Sequence, residues 1–472
     1  MRQAGFRMET CTLQFIAMAC AGKQLSGLPE TQVRRVCTDS RQVKAGDLFF
    51  ALRGERFDGH DFLRTAAEKG AGAVIVERRS VPADWSGCAM ITVEDTRKAL
   101  GRLAAQYRKD FVLPVVAVGG SNGKTTTKEL VASVLKQERA TLWSEASFNN
   151  DIGVPLTLLR LEKSHQAAVL EVGTNHPGEL RPLVEMIQPN YGVITCVGRE
   201  HLEFFNDVAG VAREEGWLAE LLPAGGKLFV NGDDEWTRRA AERTRAQVVR
   251  VGVSAGCDWR ARAARLDQRG VTFQVDGPAA ALSGEYRIHL VGRHQVVNAL
   301  FAIAIGMELG LGRAAVARGL AECRPSKMRL ELGEFNGVRL LDDAYNANAD
   351  SMAVALQTLR DFPCKGRRVA VLGDMAELGA HSESAHEEVG RRVAELGVGQ
   401  LFAVGKMAPV MARAARDAGL NRVFEFADVE TAAAAVKSFV KAGDVVLLKA
   451  SRATRIERIA ELLRAGETVR TN

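Results

Sequence analysis

The sequence predicts an α/β protein of three domains, and three observations carry that expectation. Short apolar runs alternate with helix-like stretches through the middle and last thirds of the chain, the pattern of repeated strand–helix units on a mostly parallel sheet. Pro114 and the polar, Pro-containing segment 324–327 interrupt the alternation, dividing the 472 residues into 1–110, 111–324 and 325–472. A Gly-rich loop at 119–123 joins an apolar strand to a helix start, which makes the central domain a P-loop parallel-sheet domain. With 47% hydrophobic residues, a chain of this length can build a core in each domain.

Taken in order, residues 10–110 read as a helix ending at Gly22, a polar turn at 38–41, a short strand at 47–52 and a helix–strand pair reaching 74–77, a small α/β domain. Arg2 and Arg7 ahead of the apolar run 15–20 superficially resemble a secretion leader. Gln14 interrupts that run, and an amphipathic helix explains it without a leader. The central domain places strands at 115–118, 167–172, 191–197 and 227–231, antiparallel strands within 245–290, and a closing helix at 293–310. The last domain places strands at 338–342, 368–372, 401–404 and 445–449, Rossmann-like in outline but without a G-x-G-x-x-G.

Composition excludes several classes. The 63 Lys and Arg exceed the 57 Asp and Glu by six, without long basic runs, so no nucleic-acid partner is expected. No apolar stretch reaches membrane-spanning length, and no stable membrane association is expected. The eight cysteines form no C-x-x-C pair, which argues for reduced thiols rather than disulfides or a zinc site.

The loop VVAVGGSNGKTTTKE, 115–129, holds the chemistry. Gly119, Gly120 and Gly123 let backbone N–H groups of Ser121 and its neighbours face phosphate oxygens at a helix N-terminus. Lys124 would reach the outer phosphates, with Thr125 and Thr126 supplying hydroxyls, Thr125 towards Mg²⁺. Val118 stands where a strict Walker A loop has its first glycine, so the motif belongs to a variant family. Two metal-ligand candidates follow at strand ends: Glu171, and His201 in REHLE. A lone loop histidine is ordinarily a surface or hydrogen-bonding residue, and that alternative stays open for His201.

The ordered set GSNGKTTTKE (120–129), FNNDIGVPLTLL (148–159), EVGTNHPGE (171–179), HLE (201–203), GRHQVVNAL (292–300), DDAYNANADSM (342–352) and LGDMAELG (372–379) resembles the Mur ligase family. TDSR (38–41) and GERFDGH (54–60) extend the likeness to the N-terminal third. The loop and the G-x-H-x-x-x-N at 292–298 are shared with folylpolyglutamate synthetases, so another amide ligase of the superfamily is the alternative. The 342–352 segment points to the branch that adds a dipeptide, where the tripeptide-forming branch would show D-Y-A-H-T-P-D.

The resemblance implies a cytoplasmic, monomeric, ATP- and Mg²⁺-dependent enzyme. It would join D-alanyl-D-alanine to UDP-N-acetylmuramoyl-tripeptide through an acyl phosphate, completing the pentapeptide precursor of peptidoglycan. It also implies roles by matched position. Asn122, Gly123, Lys124 and Thr125 would hold phosphates; Thr125 and Glu171 the first Mg²⁺, and His201 the second; Asn298 would read adenine. Arg329 and Asp343 would reach the nucleotide from the C-terminal domain, although a solvated ion pair is the plainer reading of Arg329. Tyr345, Asn346 and Asn348 would meet the acyl phosphate and the incoming dipeptide. Lys449, Ser451 and Arg452 are candidates for substrate carboxylates, or simply a solvated helix start. Asp39, Ser40 and Arg41 would help form a UDP-sugar pocket in the first domain, or merely brace a turn.

Three positions depart from the family pattern. Glu215 stands fourteen residues after His201, where many relatives carry a carbamylated lysine. It could supply the same charge near the second Mg²⁺ or be a solvated helix residue. Gly119 replaces a usual threonine, an exchange expected to loosen the loop, and Ala349 replaces a proline.

Overall fold

The computed structural model describes residues 7–464, except the side chains of Arg7 and Leu282; Arg2 and the outermost ends of the first and last domains lie outside the described residues. Three sheets follow one another along the chain, of six, nine and six strands.

The first sheet begins with a strand, Arg7–Thr12, where the sequence suggested the helix had started. That strand mixes Arg, Glu and Thr and has no period-two signal of its own. It exists by antiparallel pairing with Gln32–Cys37, a second strand not anticipated. The helix then runs Leu13–Ala19, with the Thr12 hydroxyl accepting from Phe15 N–H at its N-cap. Parallel strands Leu48–Phe50, Ala73–Glu77 and Ala89–Val93 follow, and Lys23–Ser26 completes the layer antiparallel to the last of them.

The helix Thr96–Arg108 fastens this domain to the next. Asp95 caps it by accepting from Lys98 N–H, and Ala99, Leu100, Leu103, Ala104 and Tyr107 form a buried stripe at helical spacing. The Tyr107 hydroxyl donates to the Leu161 carbonyl at 2.6 Å and accepts from Glu9 N–H at 2.7 Å. The buried guanidinium of Arg108 donates to the Ile187 carbonyl at 3.0 Å. One apolar core runs continuously across both domains.

In the central sheet Val115–Gly119 lies between Tyr191–Ile194 and Ala167–Glu171, all parallel. All five residues of Val115–Gly119 are buried, which is why this strand reads as an unbroken apolar run. Of the 245–290 segment, Trp259–Asp267, Gly270–Asp276 and Gly284–Ile288 are antiparallel as expected. Gln247–Gly252 instead pairs parallel with Lys227–Asn231, because the helix Glu235–Ala241 between them forms a crossover.

The last sheet is parallel in Val338–Asp342, Val445–Lys449, Arg368–Gly373, Gln400–Val404 and Val423–Phe426. An antiparallel strand, Glu331–Phe335, is added at its edge. Its hairpin turn is Asn336–Gly337, with φ of 46° and 75°, a turn signature visible in the sequence but not used there.

Candidate functional site

Strands 115–119, 167–171 and 191–194 end together on one side of the central sheet, where open parallel sheets place ligands. A cleft of ≈ 550 Å³ opens there, walled on the other side by the C-terminal domain. Of the residues expected from sequence, Ser121 to Thr126, Glu171, His201, Asn298, Arg329, Asp343, Tyr345, Asn346, Asn348 and Lys449 line it.

The loop is shaped by two glycines in the left-handed region. A Cβ at Gly120, φ 108°, would lie 2.3 Å from Thr195 Oγ1, and one at Gly123, φ 86°, would lie 2.7 Å from Asn298 Oδ1. Helix Lys124–Leu135 starts at Gly123, with its first N–H groups facing the cleft region. Lys124 Nζ donates to the Gly120 carbonyl at 2.5 Å and stands 3.5 Å from Glu200 Oε2. Burial works against this ammonium, yet the carboxylates of Glu200, Glu215 and Glu171 outweigh it and hold its pKa above the ordinary lysine value.

Glu171 lies at its strand end with Oε1 accepting from Asn149 Nδ2 at 2.9 Å. Among the described residues, Glu171 Oε2 and Glu200 Oε1 are buried without a hydrogen-bond partner. Orphaned carboxylate oxygens beside a phosphate loop fit a hard divalent cation, so the donor set suits Mg²⁺. No group of three or more His, Cys, Asp or Glu among the described residues forms a complete metal cage. His201, at φ 49°, bonds through Nδ1 to Glu377 Oε2 at 2.5 Å, and its Nε2 lies 4.0 Å from Glu200 Oε2.

Glu215 is not on the cleft wall. Its fully buried carboxylate sits beneath the loop, where Oε2 accepts from Gly120 N–H at 2.7 Å. Burial pushes its pKa far above the usual carboxylate range against the pull of Lys124. The reading of Glu215 as a solvated helix residue is therefore excluded, and Glu200 is the carboxylate that faces both Lys124 and His201. Gly119 is explained by the same contact: a Cβ there would stand 2.8 Å from Glu215 Oε2. The glycine makes room for the carboxylate that braces the loop, rather than loosening it.

On the opposite wall Asp343 Oδ2 pairs with Lys449 Nζ at 2.6 Å, and Lys449 also donates to the Asn346 carbonyl at 3.0 Å. Burial lowers the Lys449 pKa while Asp343 resists it. The Arg329 guanidinium lies 4.1 Å from the Tyr345 ring centroid, a cation–π stack rather than a solvated ion pair. Asn298 accepts from Thr127 Oγ1 and donates to Gln295 Oε1. Asn348 caps helix Ala349–Asp361 in a capping box with Ser351, so Ala349 at the first helical position needs no proline.

The two walls are joined directly. Asn122 and Asn348 exchange side-chain amide bonds at 3.1 and 3.4 Å. Arg199 binds Asp350 through Nε at 2.8 Å and Glu388 through both terminal nitrogens at 2.6 and 3.0 Å.

The C-terminal trio does not converge. Lys449 faces the cleft, Ser451 is buried with its hydroxyl donating to the Ala347 carbonyl, and Arg452 pairs with Glu457 outside the cleft. Asp39, Ser40 and Arg41 are likewise apart from it. Asp39 caps the short helix Ser40–Gln42 and pairs with the Arg41 side chain at 2.9 Å, the turn-bracing alternative. Glu200, Asn149, Arg199 and Lys128 were missed by sequence reasoning. Glu200 adjoins His201 and Asn149 lies within a quoted motif, whereas Lys128 looks like any solvated helix lysine.

Comparison with known proteins identifies the family and the fold. Residues 32–108 match the Mur ligase family catalytic domain, 118–306 the Mur ligase middle domain, and 328–452 the Mur ligase glutamate ligase domain. The UDP-N-acetylmuramoyl-tripeptide--D-alanyl-D-alanine ligase of Escherichia coli is 37% identical over 440 residues, covering 92% of this chain and 94% of its own. The crystal structure of MurF from Acinetobacter baumannii superposes with a TM-score of 0.88 at 34% identity, covering 97% of this chain and 99% of its own. MurF from Thermotoga maritima, solved in complex with ADP, superposes with a TM-score of 0.80 at 28% identity, covering 91% and 97%. With three consecutive domain matches and a phosphate loop facing orphaned carboxylates, the chain belongs to the Mur ligase family.

Proposed function

We propose that the cleft between the central and C-terminal domains is where this chain joins D-alanyl-D-alanine to UDP-N-acetylmuramoyl-tripeptide at the expense of ATP. The activity is that of an ATP-dependent amide ligase of peptidoglycan precursor synthesis. The observation that carries the residue assignment is the convergence of Lys124, Glu171, Glu200 and His201 at the ends of three parallel strands. The domains are 1–110 for the UDP-sugar, 111–324 for ATP and 325–472 closing over it. Continuous sheets on either side of 110/111 and 324/325 support that division.

A carboxylate does not react with an amine at neutral pH, because its leaving group would be oxide. Transfer of the γ-phosphoryl group of ATP to the tripeptide's terminal carboxylate, releasing ADP, turns that oxygen into a phosphate leaving group. The amine of D-alanyl-D-alanine then attacks the acyl carbon, loses a proton and expels phosphate. Lys124 sits where charge spreads over the transferring phosphoryl group, in a buried site where one ammonium counts most. Backbone N–H groups of 123–125 hold the outer phosphates; contrary to the expectation from sequence, those of Ser121 and Asn122 are taken by the Cys196 carbonyl at 2.8 Å and its thiol at 3.3 Å. Glu171 with Thr125, and Glu200 with His201, would hold Mg²⁺, whose chemistry there would be to neutralise phosphate charge. Glu215 keeps the loop in place from below rather than acting as a ligand. Arg329, Tyr345, Asn298 and Asp343 embrace the base and ribose; Asn346 and Asn348 lie on the acceptor side. Arg199 holds the walls together and keeps water from the acyl phosphate.

Among the described residues no helix is long and apolar enough to cross a membrane; a cytoplasmic location and a monomeric state belong to the proposal. The test is phosphate release with Mg²⁺ and ATP, omitting each substrate in turn, using lysine- and diaminopimelate-containing tripeptides in parallel. Release that needs both partners is expected. No release with either tripeptide, from protein that still binds ADP, would overturn the reading.

A further inference from the structure

Lys128 lies one helical turn beyond Lys124 and is fully buried, which is rare for a lysine. Its ammonium donates to the carbonyls of Ser144 and Ala146, both at 2.7 Å, and pairs with Glu129 Oε1 at 2.7 Å. Those partners use all three of its protons. Glu171 Oε2 is 4.0 Å away, beyond hydrogen-bond reach.

The two carbonyls belong to the segment that grips Glu171. Ser144 Oγ accepts from Glu171 N–H at 3.1 Å, and Asn149 Nδ2 donates to Glu171 Oε1 at 2.9 Å. Between them Ala146 holds a φ of 46°, in the left-handed region that strains a non-glycine residue. The chain makes this turn with its carbonyls pointing at the Lys128 ammonium. An apolar side chain would fill the same space without the desolvation cost of a buried charge. It would leave the buried carbonyl of Ser144, and that of Ala146, without this donor.

We propose that Lys128 is a positioning residue for the divalent cation. By locking the 144–149 turn it commits Glu171 Oε1 to Asn149 and leaves Oε2, which has no partner, for the metal. The inference rests on the reading of Glu171 as a metal ligand, and its test separates the two. ADP affinity of the full chain is measured by calorimetry with Mg²⁺ and with a chelator, for wild type, K128M, N149A and E171A. In K128M the chelator value stays at wild type while the gain from Mg²⁺ falls about ten- to hundredfold, the usual effect of losing an outer-shell partner. N149A reproduces the loss, and E171A abolishes the gain. A full Mg²⁺ gain in K128M, with E171A deficient, overturns the positioning role and leaves Glu171 as ligand. Equal weakening of both affinities in K128M makes Lys128 merely structural and also overturns it. A full gain in E171A overturns the metal reading itself. Should K128M not fold, N149A decides, and an undiminished gain there overturns the linkage.

Discussion

The two walls of the cleft use charge in opposite ways. On the central-domain wall, Lys124 leans on a carbonyl and stands 3.5 Å from Glu200, while Glu171 and Glu200 each keep a buried oxygen without a partner. On the C-terminal wall, Asp343 and Lys449 satisfy each other at 2.6 Å and Arg329 rests on Tyr345. Buried charge that lacks a partner is costly and is retained where a ligand will supply one; charge already paired orients a ligand without transforming it. The first wall is therefore chemical and the second is a shaped cover.

The sharpest way to break this contrast is K124A, for which kcat falls about a thousandfold, the scale of losing a preorganised donor at developing charge, while the buried carboxylates left without their cation also lower thermal stability. Single-turnover phosphate release measures it, and retained activity would move the chemistry elsewhere. Next comes E200Q, which keeps the volume and removes the charge. Its Mg²⁺ requirement rises and activity falls about a hundredfold, read from rate against Mg²⁺ concentration.

Asp342 sharpens the comparison because it is a buried carboxyl beside the paired wall with no cation bonded to it. Burial raises its pKa to about 6 from 3.8, against the pull of the Ala344 N–H. The folded state thus holds the proton longer than the unfolded chain, so stability falls as pH rises from about 4 to about 6 and levels off beyond. D342N keeps the acceptor for Ala344 and removes this slope, a gain of about 2–3 kcal/mol relative to wild type above pH 6. Denaturant midpoints at pH 4 and pH 7 test it; equal differences at both would refute the assignment.

R199A unlocks the walls, and KM for ATP rises about tenfold, close to 1.4 kcal/mol, with kcat less affected. Small-angle scattering shows the same variant more extended. The smallest effect belongs to R41A, whose ion pair is exposed and screened by solvent, so that stability barely changes. A changed KM for the UDP-tripeptide in R41A, without a change in stability, would show that the first-domain turn reads substrate.

Much of this was legible before any coordinates. Val115 to Lys124 announces a buried strand, a loop needing left-handed glycines and a helix start, because each feature is local. The helix Gln295–Glu308 and the strands that end at the cleft follow from apolar periodicity in the same way. Arg7–Thr12 and Glu331–Phe335 were not legible from their own residues, since an edge strand with mixed polarity is defined by what it pairs with. The identities of Glu171 and His201 as candidates came from residue type at a strand end; the importance of Glu200 depended on a side chain turning towards Lys124.

By itself, then, the sequence determined the three α/β units, the phosphate loop and its lysine, and membership of a ligase family, all set by local pattern and residue type. Tertiary structure alone decided that Glu215 braces the loop, that Gly119 makes room for it, that Lys128 is buried behind Glu171, and that Arg452 points away from the cleft. The reason is physical. A helical lysine or glutamate has the same local pattern whether it meets water or a carbonyl, and only distant segments packing against it choose between them.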